Sequence, residues 1–251
     1  MDKKFALPVL LYHRIVEKET AIGRHKIYIQ KSEFENQMRY LSESGIQTIT
    51  FEDLNKDPLM DLYNKVILTF DDGYADNYTL MFPILKRYGF KAVIYLVTGL
   101  AYNQWGVAEG EPNVHLMNKE QLKELCDYGI EIGGHTRNHL DLSKCDDKQL
   151  INEITGCKDD IEQLLKKKVT SFAYPFGGLN ERVKDITKKS GYAYAVSTNT
   201  GPKQFMNDLF QIRRIEITPK TTLRSFKNKV SGYYFQPRLL ESIFRGDKSN
   251  K

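Results

Sequence analysis

The sequence predicts an α/β fold: a parallel sheet, closed or nearly closed into a barrel, with helices outside. Three observations carry the prediction. Apolar strand-like segments alternate with amphipathic helical segments about seven times, the pattern of successive βαβ units. The strand-like segments are near-continuous apolar runs, as strands covered on both faces require. Polar residues gather where these strands end, at His13, Asp71, Asp72, His135 and the pair Tyr174-Pro175, and in a parallel barrel the chemistry sits at that rim. A length of 251 residues suits one such domain. No linker, repeat or composition shift divides it, so a single domain over 1–251 is expected, with its core at about 8–230.

The elements follow in order. Residues 8–13 form a first buried strand ending in a histidine. Ser32 and Glu35 read as a capping box opening a helix with Phe34, Met38 and Leu41 on its apolar face, and Gly45 stops it. Residues 46–51 read as a short strand and 59–64 as a polar connection. Residues 66–72 are a strong strand that drives into two adjacent carboxylates and Gly73. A helix over 77–87 ends at Gly89, and 91–97 is the next strong strand. The long loop 99–117 holds the only tryptophan, Trp105; loops of this length are commonly functional. Asn118 caps a helix running to Tyr128, and 130–133 is a short strand leading into His135. Residues 146–166 carry Leu150, Ile154, Ile161, Leu164 and Leu165, an amphipathic helix. Strands follow at 169–174, 192–197 and 211–217, with helices at 182–189 and 223–230. Residues 246–251 form a polar tail expected to be disordered.

Composition sets limits. Hydrophobic residues make up 41% of the chain, enough for a substantial core. No run of about 18 apolar residues exists, so no transmembrane segment is expected. Met1-Asp2-Lys3-Lys4 leads into only a short apolar stretch, unlike a signal peptide. A cytoplasmic protein is therefore expected, with an exported or cell-surface protein as the alternative if the N-terminus has been trimmed. The net charge of +5 is spread along the chain, and Lys166-Lys167-Lys168 reads as a solvated helix end. No nucleic-acid motif accompanies it, so no nucleic-acid partner is expected. Cys126, Cys145 and Cys157 are odd in number and widely spaced, which argues against disulfides and thiolate zinc.

Two constellations carry chemistry. Burying two adjacent carboxylates is costly unless a cation or a proton compensates. Asp71-Asp72 thus asks for a metal, a shared proton or an open cleft. The second constellation is Gly133-Gly134-His135-Thr136-Arg137-Asn138-His139. Histidines four apart can face one way on a helical turn, and the paired glycines permit a sharp entry. Alone, that spacing also suits two hydrogen-bonded structural histidines. Beside a strand-end Asp-Asp it points to a metal. Two imidazoles and one carboxylate make a facial set with positions left for water, and the second carboxylate is then available as a base.

Thr69-Phe70-Asp71-Asp72-Gly73, with His135 and His139 in His-Thr-x-x-His, resembles the polysaccharide deacetylases of carbohydrate esterase family four. Leu10-Leu11-Tyr12-His13-Arg14-Ile15 and Phe172-Ala173-Tyr174-Pro175-Phe176-Gly177 agree. The resemblance implies a distorted (β/α)7–8 barrel and metal-dependent removal of acetyl from N-acetylated oligo- or polysaccharides. By position it makes Asp71 the base and Asp72, His135 and His139 the metal ligands. Zinc is the default divalent metal, with cobalt, nickel or iron as other occupants. Phe176, after Tyr174 and Pro175, falls where a backbone N–H in the family helps to hold the oxyanion. The metal would acidify a water and polarise the acetyl carbonyl. An acid must then protonate the leaving amine.

The sequence departs from the usual pattern at that acid. The family's late histidine is missing, since none follows His139. His13 is the evident replacement, as in a subgroup with permuted motif order that includes poly-β-1,6-N-acetylglucosamine deacetylases; a structural histidine at the rim is the alternative. Ala173 stands where many relatives place an arginine that orients the base. Strand alternation turns Arg214 inward, opposite Ile215 and Ile217, which makes it the candidate substitute, with an ion pair to Glu216 as the alternative. The family's aspartate- and tryptophan-bearing motif is not evident. Trp105 is either an aromatic wall or a packing anchor. His25 and His115 read as partnerless surface residues. The expected function is N-deacetylation of an N-acetylglucosamine-containing polysaccharide. An O-acetyl esterase with the same centre and a non-catalytic glycan-binding module are the alternatives.

Overall fold

Parallel pairing of short buried strands builds the frame, and the structure, a computed structural model, describes it over residues 6–18 and 25–235. Strands β1 (Val9–Tyr12), β5 (Lys65–Phe70), β6 (Val93–Leu96), β7 (Glu131–Gly134), β8 (Ser171–Ala173) and β9 (Tyr194–Val196) lie side by side in that order. Strand β10 (Ile215–Glu216) pairs with the free side of β1, and β4 (Gln47–Thr48) with β5, giving an eight-stranded sheet. The sheet curls into a distorted half-barrel. Residues 209–217 span between its edges. Ile212 N donates to Ala195 O in β9 at 3.0 Å, and Ile217 N donates to Leu11 O in β1 at 2.9 Å. A separate parallel pair, β2 (Arg14–Val16) with β3 (Tyr28–Gln30), stands beside the rim.

Alternation along the strands divides the core in two. Val9, Ile67, Val93, Tyr95, Ala173, Val196 and Ile212 fill the inside of the curl. Leu10, Leu68, Phe70, Ile94, Ile132 and Phe172 face outward, against helices. Those helices are α1 (Lys31–Glu43), α3 (Phe82–Tyr88), α5 (Lys119–Tyr128), α6 (Asp147–Leu165) and α7 (Glu181–Lys189). The short helix α2 (Phe51–Lys56) closes the N-terminal end, with the Phe51 ring 5.2 Å from that of Tyr194. Fully burying such a side chain is worth about 1.5–3 kcal/mol.

Several local expectations are corrected. Helix α1 begins at Lys31 with Gln30 as N-cap and no side-chain cap, so Ser32 and Glu35 form no capping box. Its start is set by Gln30 leaving the β2–β3 ladder; Glu35 pairs with Arg87 instead. The strand expected over 46–51 is only Gln47–Thr48, because Thr50 and Asp53 form a capping box that opens α2. The helix expected over 77–87 opens with a π-helical turn, Asn77–Met81, before α3. Pro83 explains the widening: it has no N–H and its ring would crowd the carbonyl four residues back. The long loop 99–117 contains one helical turn, α4 (Gln104–Val107). The last helix, α8, spans Leu223–Lys229. The tail expected at 246–251 lies outside the described residues. Among the described residues no helix is long and apolar enough to cross a membrane.

One buried carboxylate at the closed end is unrelated to the rim. Glu131 accepts from Ser171 Oγ at 2.5 Å and from Glu52 N, in the first turn of α2, at 2.8 Å. Burial pushes its pKa up to about 7. The folded state therefore holds a proton that the unfolded state releases near pH 4.5. Stability from this group is complete below that pH and falls as pH rises through about 7. Such a shift amounts to about 3 kcal/mol. E131Q is expected to flatten the loss of Tm between pH 5 and pH 8, and parallel melting curves of mutant and wild type would refute this.

Candidate active site

Strand β5 ends in a turn made by Asp72 (φ 75) and Gly73 (φ 78). This turn sends the Asp72 carboxylate toward β7. The glycines that end β7 serve close packing, not the sharp entry expected of them, since neither has a positive φ. A Cβ on Gly133 would lie 2.5 Å from the Tyr95 ring, and one on Gly134 2.5 Å from Tyr192 Oη. The turn of the chain falls later, at Thr136 (φ 68) and His139 (φ 55).

Asp72, His135 and His139 converge. Asp72 Oδ1 is 3.3 Å from His135 Nε2 and 3.2 Å from His139 Nε2. One ligand atom from each of the three, all buried, lies within 4.8 Å of the others. His135 Nδ1 donates to Ala173 O at 2.8 Å. A carbonyl only accepts, so the neutral ring carries its proton on Nδ1 and turns a bare Nε2 toward Asp72. Asp72 Oδ1 is buried and, among the described residues, has no hydrogen-bond donor. A bare nitrogen and a carboxylate oxygen at that distance repel unless a cation or proton lies between them. The donor set therefore fits a divalent metal.

The titrations follow from the same contacts. Burial opposes the charged form of Asp72, but the two imidazoles outweigh it and hold its carboxyl well below the usual range. Burial also opposes the charged form of His135, but Asp72 and Asp71 outweigh it and raise its pKa. At His139 burial wins and the pKa falls.

Asp71 is held differently. Arg214 turns inward and is 1% exposed. Its Nη1 and Nη2 donate to Asp71 Oδ1 and Oδ2 at 2.6 and 2.7 Å, a bidentate pair. The same guanidinium donates to Ser197 O at 2.7 Å and Thr69 Oγ1 at 3.1 Å. Its partner is thus Asp71, not Glu216. Burial opposes ionisation of Asp71, but Arg214 first, with nearby imidazoles, holds its pKa below the usual value. Arg214 is not among the residues bordering the cleft.

His13 is half-buried at the end of β1. Asn77 Nδ2 donates to its carbonyl at 2.8 Å. Asp76 binds Arg14 Nε at 2.9 Å and Ile15 N at 3.1 Å. The residues after Asp71-Asp72 therefore tie down the strand end that carries His13. His13, Asp71, Asp72, His135 and His139 border one cleft of about 340 Å³. The Trp105 ring lies 4.2 Å from the His139 ring at 21°, and Phe176 meets His139 edge-on at 4.6 Å. Trp105 is thus both wall and anchor.

Phe176 is 58% exposed with φ 57. Tyr174 is buried yet borders the cleft, and its hydroxyl donates to Phe210 O at 3.0 Å. Pro175 is buried behind Phe176 and does not border the cleft. The expectation for His25 is corrected: it borders the cleft, its Nε2 lies 2.6 Å from Glu109 Oε2, and its backbone N donates to Glu111 Oε1 at 2.8 Å. His115 is exposed, and its carbonyl accepts from Ala75 N at 2.9 Å. Sequence reasoning missed the His25 pair, the Ala173 carbonyl and a buried Glu153 behind the His135–His139 loop. Only Glu153 left a signal, as a charge on the apolar stripe between Leu150 and Ile154.

Fold and site together define an α/β-barrel protein with a metal-compatible Asp-His-His set at the C-terminal rim of its strands. Residues 62–195 match the polysaccharide deacetylase family. YxkH of Bacillus subtilis (strain 168), named for the same family, is 31% identical over 224 residues, 87% of this chain and 74% of that one. The chain belongs to the polysaccharide deacetylase family. Poly-beta-1,6-N-acetyl-D-glucosamine N-deacetylase of Staphylococcus aureus (strain MRSA252) is 28% identical over 183 residues. That match covers 67% of this chain and 60% of the staphylococcal enzyme. Among solved structures, the Streptococcus pyogenes deacetylase PplD in complex with acetate superposes with a TM-score of 0.77 at 27% identity. It covers 89% of this chain and 97% of PplD.

Removing the Arg214 guanidinium would leave Asp71 buried and unpaired. R214M is expected to lower the unfolding free energy by about 3–5 kcal/mol, and adding Asp71→Asn to recover part of that loss. Urea denaturation of the wild type, both single mutants and the double mutant measures the coupling; strictly additive losses would deny it.

Proposed function

We propose that this chain is a metal-dependent N-deacetylase of polysaccharides that contain N-acetylglucosamine. The observation that carries the reading is the division of labour within Asp71-Asp72. Asp72 faces two imidazoles, while Asp71 is pinned by Arg214 and borders the same cleft as His13. Asp72, His135 and His139 would hold a divalent cation, zinc by default, which would supply Lewis acidity and make a nearby water more acidic. Asp71 takes the proton of the attacking water. A carboxylate kept below its usual pKa is a weak base, which suits a proton already made acidic. Arg214 keeps both Asp71 oxygens at fixed positions and acts through Asp71, out of reach of substrate. The Phe176 backbone N–H donates to the oxyanion as charge develops there. His13 then delivers a proton to the departing sugar amine. Trp105 and Phe176 offer apolar ring faces of the kind on which a sugar can lie. The named substrate of the staphylococcal relative supports a poly-N-acetylglucosamine as the substrate class.

The test is acetate release from N-acetylglucosamine oligomers of several linkages and from O-acetylated sugars, with metal analysis of the same samples. Chelation is expected to abolish release and zinc to restore it. H13A and D71N are each expected to lower kcat by about 10²–10⁴-fold while retaining metal. Release only from O-acetyl substrates would make the protein an esterase. A metal-loaded protein that releases no acetate would leave a glycan-binding module.

A further inference from the structure

We propose that Glu153 is a positioning residue of the metal centre, an inference that rests on the metal reading of Asp72, His135 and His139. Its buried carboxylate holds the loop between the two histidines in the backbone shape that brings both rings to Asp72. That shape is strained. Thr136 and His139 both sit in the left-handed region without being glycine, a conformation that side chains with a Cβ rarely adopt. Such strain persists only where the surroundings over-determine it. Thr136 Oγ1 meets part of the need by accepting from His139 N at 2.9 Å.

Glu153 meets the rest. Its Oε2 accepts from the consecutive backbone N–H groups of Arg137 and Asn138 at 3.0 and 2.8 Å. Its Oε1 accepts from Asn138 Nδ2 at 2.6 Å. Successive amides turned on one carboxylate form an anion-binding nest, here filled from within the chain. Glu153 is 2% exposed on α6. Arg137, the cation nearest in sequence to the nest, is engaged elsewhere. Its Nη2 and Nε bind the Asp160 carboxylate at 2.7 and 2.8 Å, and its Nη1 binds Asn152 Oδ1 at 2.8 Å. Among the described residues no ion pair reaches Glu153.

The two histidine ligands show why the clamp matters. His135 is oriented at its ring, through Nδ1 to Ala173 O. His139 Nδ1 is buried and, among the described residues, has no hydrogen-bond partner. Its ring lacks the hydrogen bond that usually aims a metal-binding imidazole. Its direction comes from its backbone and from the Trp105 and Phe176 rings. Glu153 fixes that backbone.

Trp105 is the only tryptophan and its ring lies 4.2 Å from His139, so its fluorescence follows loading of the site. Zinc dissociation constants would be read from that signal in competition with a chelator. E153A is expected to weaken zinc binding by about 10–100-fold. E153Q, which keeps one acceptor for the two amides, should recover most of that affinity. L150A removes a buried side chain from the same helix without touching the nest. It should lower Tm and keep the wild-type zinc affinity. If E153A does not fold, E153D withdraws the carboxylate by one methylene and gives the same contrast. Zinc affinity in E153A or E153D within about threefold of wild type, or equal weakening in L150A, would overturn the inference. A wild-type protein that binds no divalent metal would overturn the metal reading and this inference with it. Wild-type affinity in E153A overturns this inference alone.

Discussion

A guanidinium buried as deeply as that of Arg214 is stable only when its donors are met and its charge is answered. Here four hydrogen bonds meet it, two of them to Asp71, and the Tyr95 ring lies 5.8 Å away. The contacts come from different parts of the barrel: Ser197 follows β9, Thr69 lies in β5, and Asp71 follows it. Arg214 itself belongs to the segment that spans between the sheet's edges. Thr69 passes the link on to β1 by donating to Leu10 O at 2.7 Å. Closing the barrel and aiming the candidate base are therefore one event. Removing the guanidinium would thus loosen the closure of the sheet and release the base together.

Around that pair the site is held from outside in layers of different character. His135 is aimed by a hydrogen bond across to β8. His139 is aimed by stacked rings and by a strapped backbone. His13 is held through its carbonyl by Asn77 and through its neighbours by Asp76. His13, Asp71, His135 and His139 each owe their direction to an element other than their own, which is how a rim built from short strand ends can be rigid.

This also explains what could be read from the sequence. Apolar runs and period-two alternation report local burial, so the strong strands, the rim of polar groups and the inward turn of Arg214 were legible. The pairing of Arg214 with Asp71 was narrowed to a few partners by the same logic. The Asp-His-His set was legible because a strand-end Asp-Asp has few stable explanations. Features set by partners far along the chain were not. Gln30 starts a helix because β3 ends there. Gly133 and Gly134 are small because Tyr95 and Tyr192 occupy the space. His25 meets Glu109 across 84 positions. Glu153 is the intermediate case: a charge on an apolar helical stripe announces a buried partner but not which one.

The separation of Arg214 from Asp71 along the chain, 143 positions, has a consequence for how the protein comes into being. During synthesis, β1, β5 and β6 emerge early and can pair while the guanidinium is still unmade. Until residues 209–217 arrive, the growing sheet has an open edge at β1 and an Asp71 carboxylate without its guanidinium. Open edges and unfinished cores invite association with other chains. Pairings this distant also slow folding. The nascent protein therefore passes through a vulnerable interval that ends only when β10 docks against β1, bringing Arg214 to Asp71 in the same step.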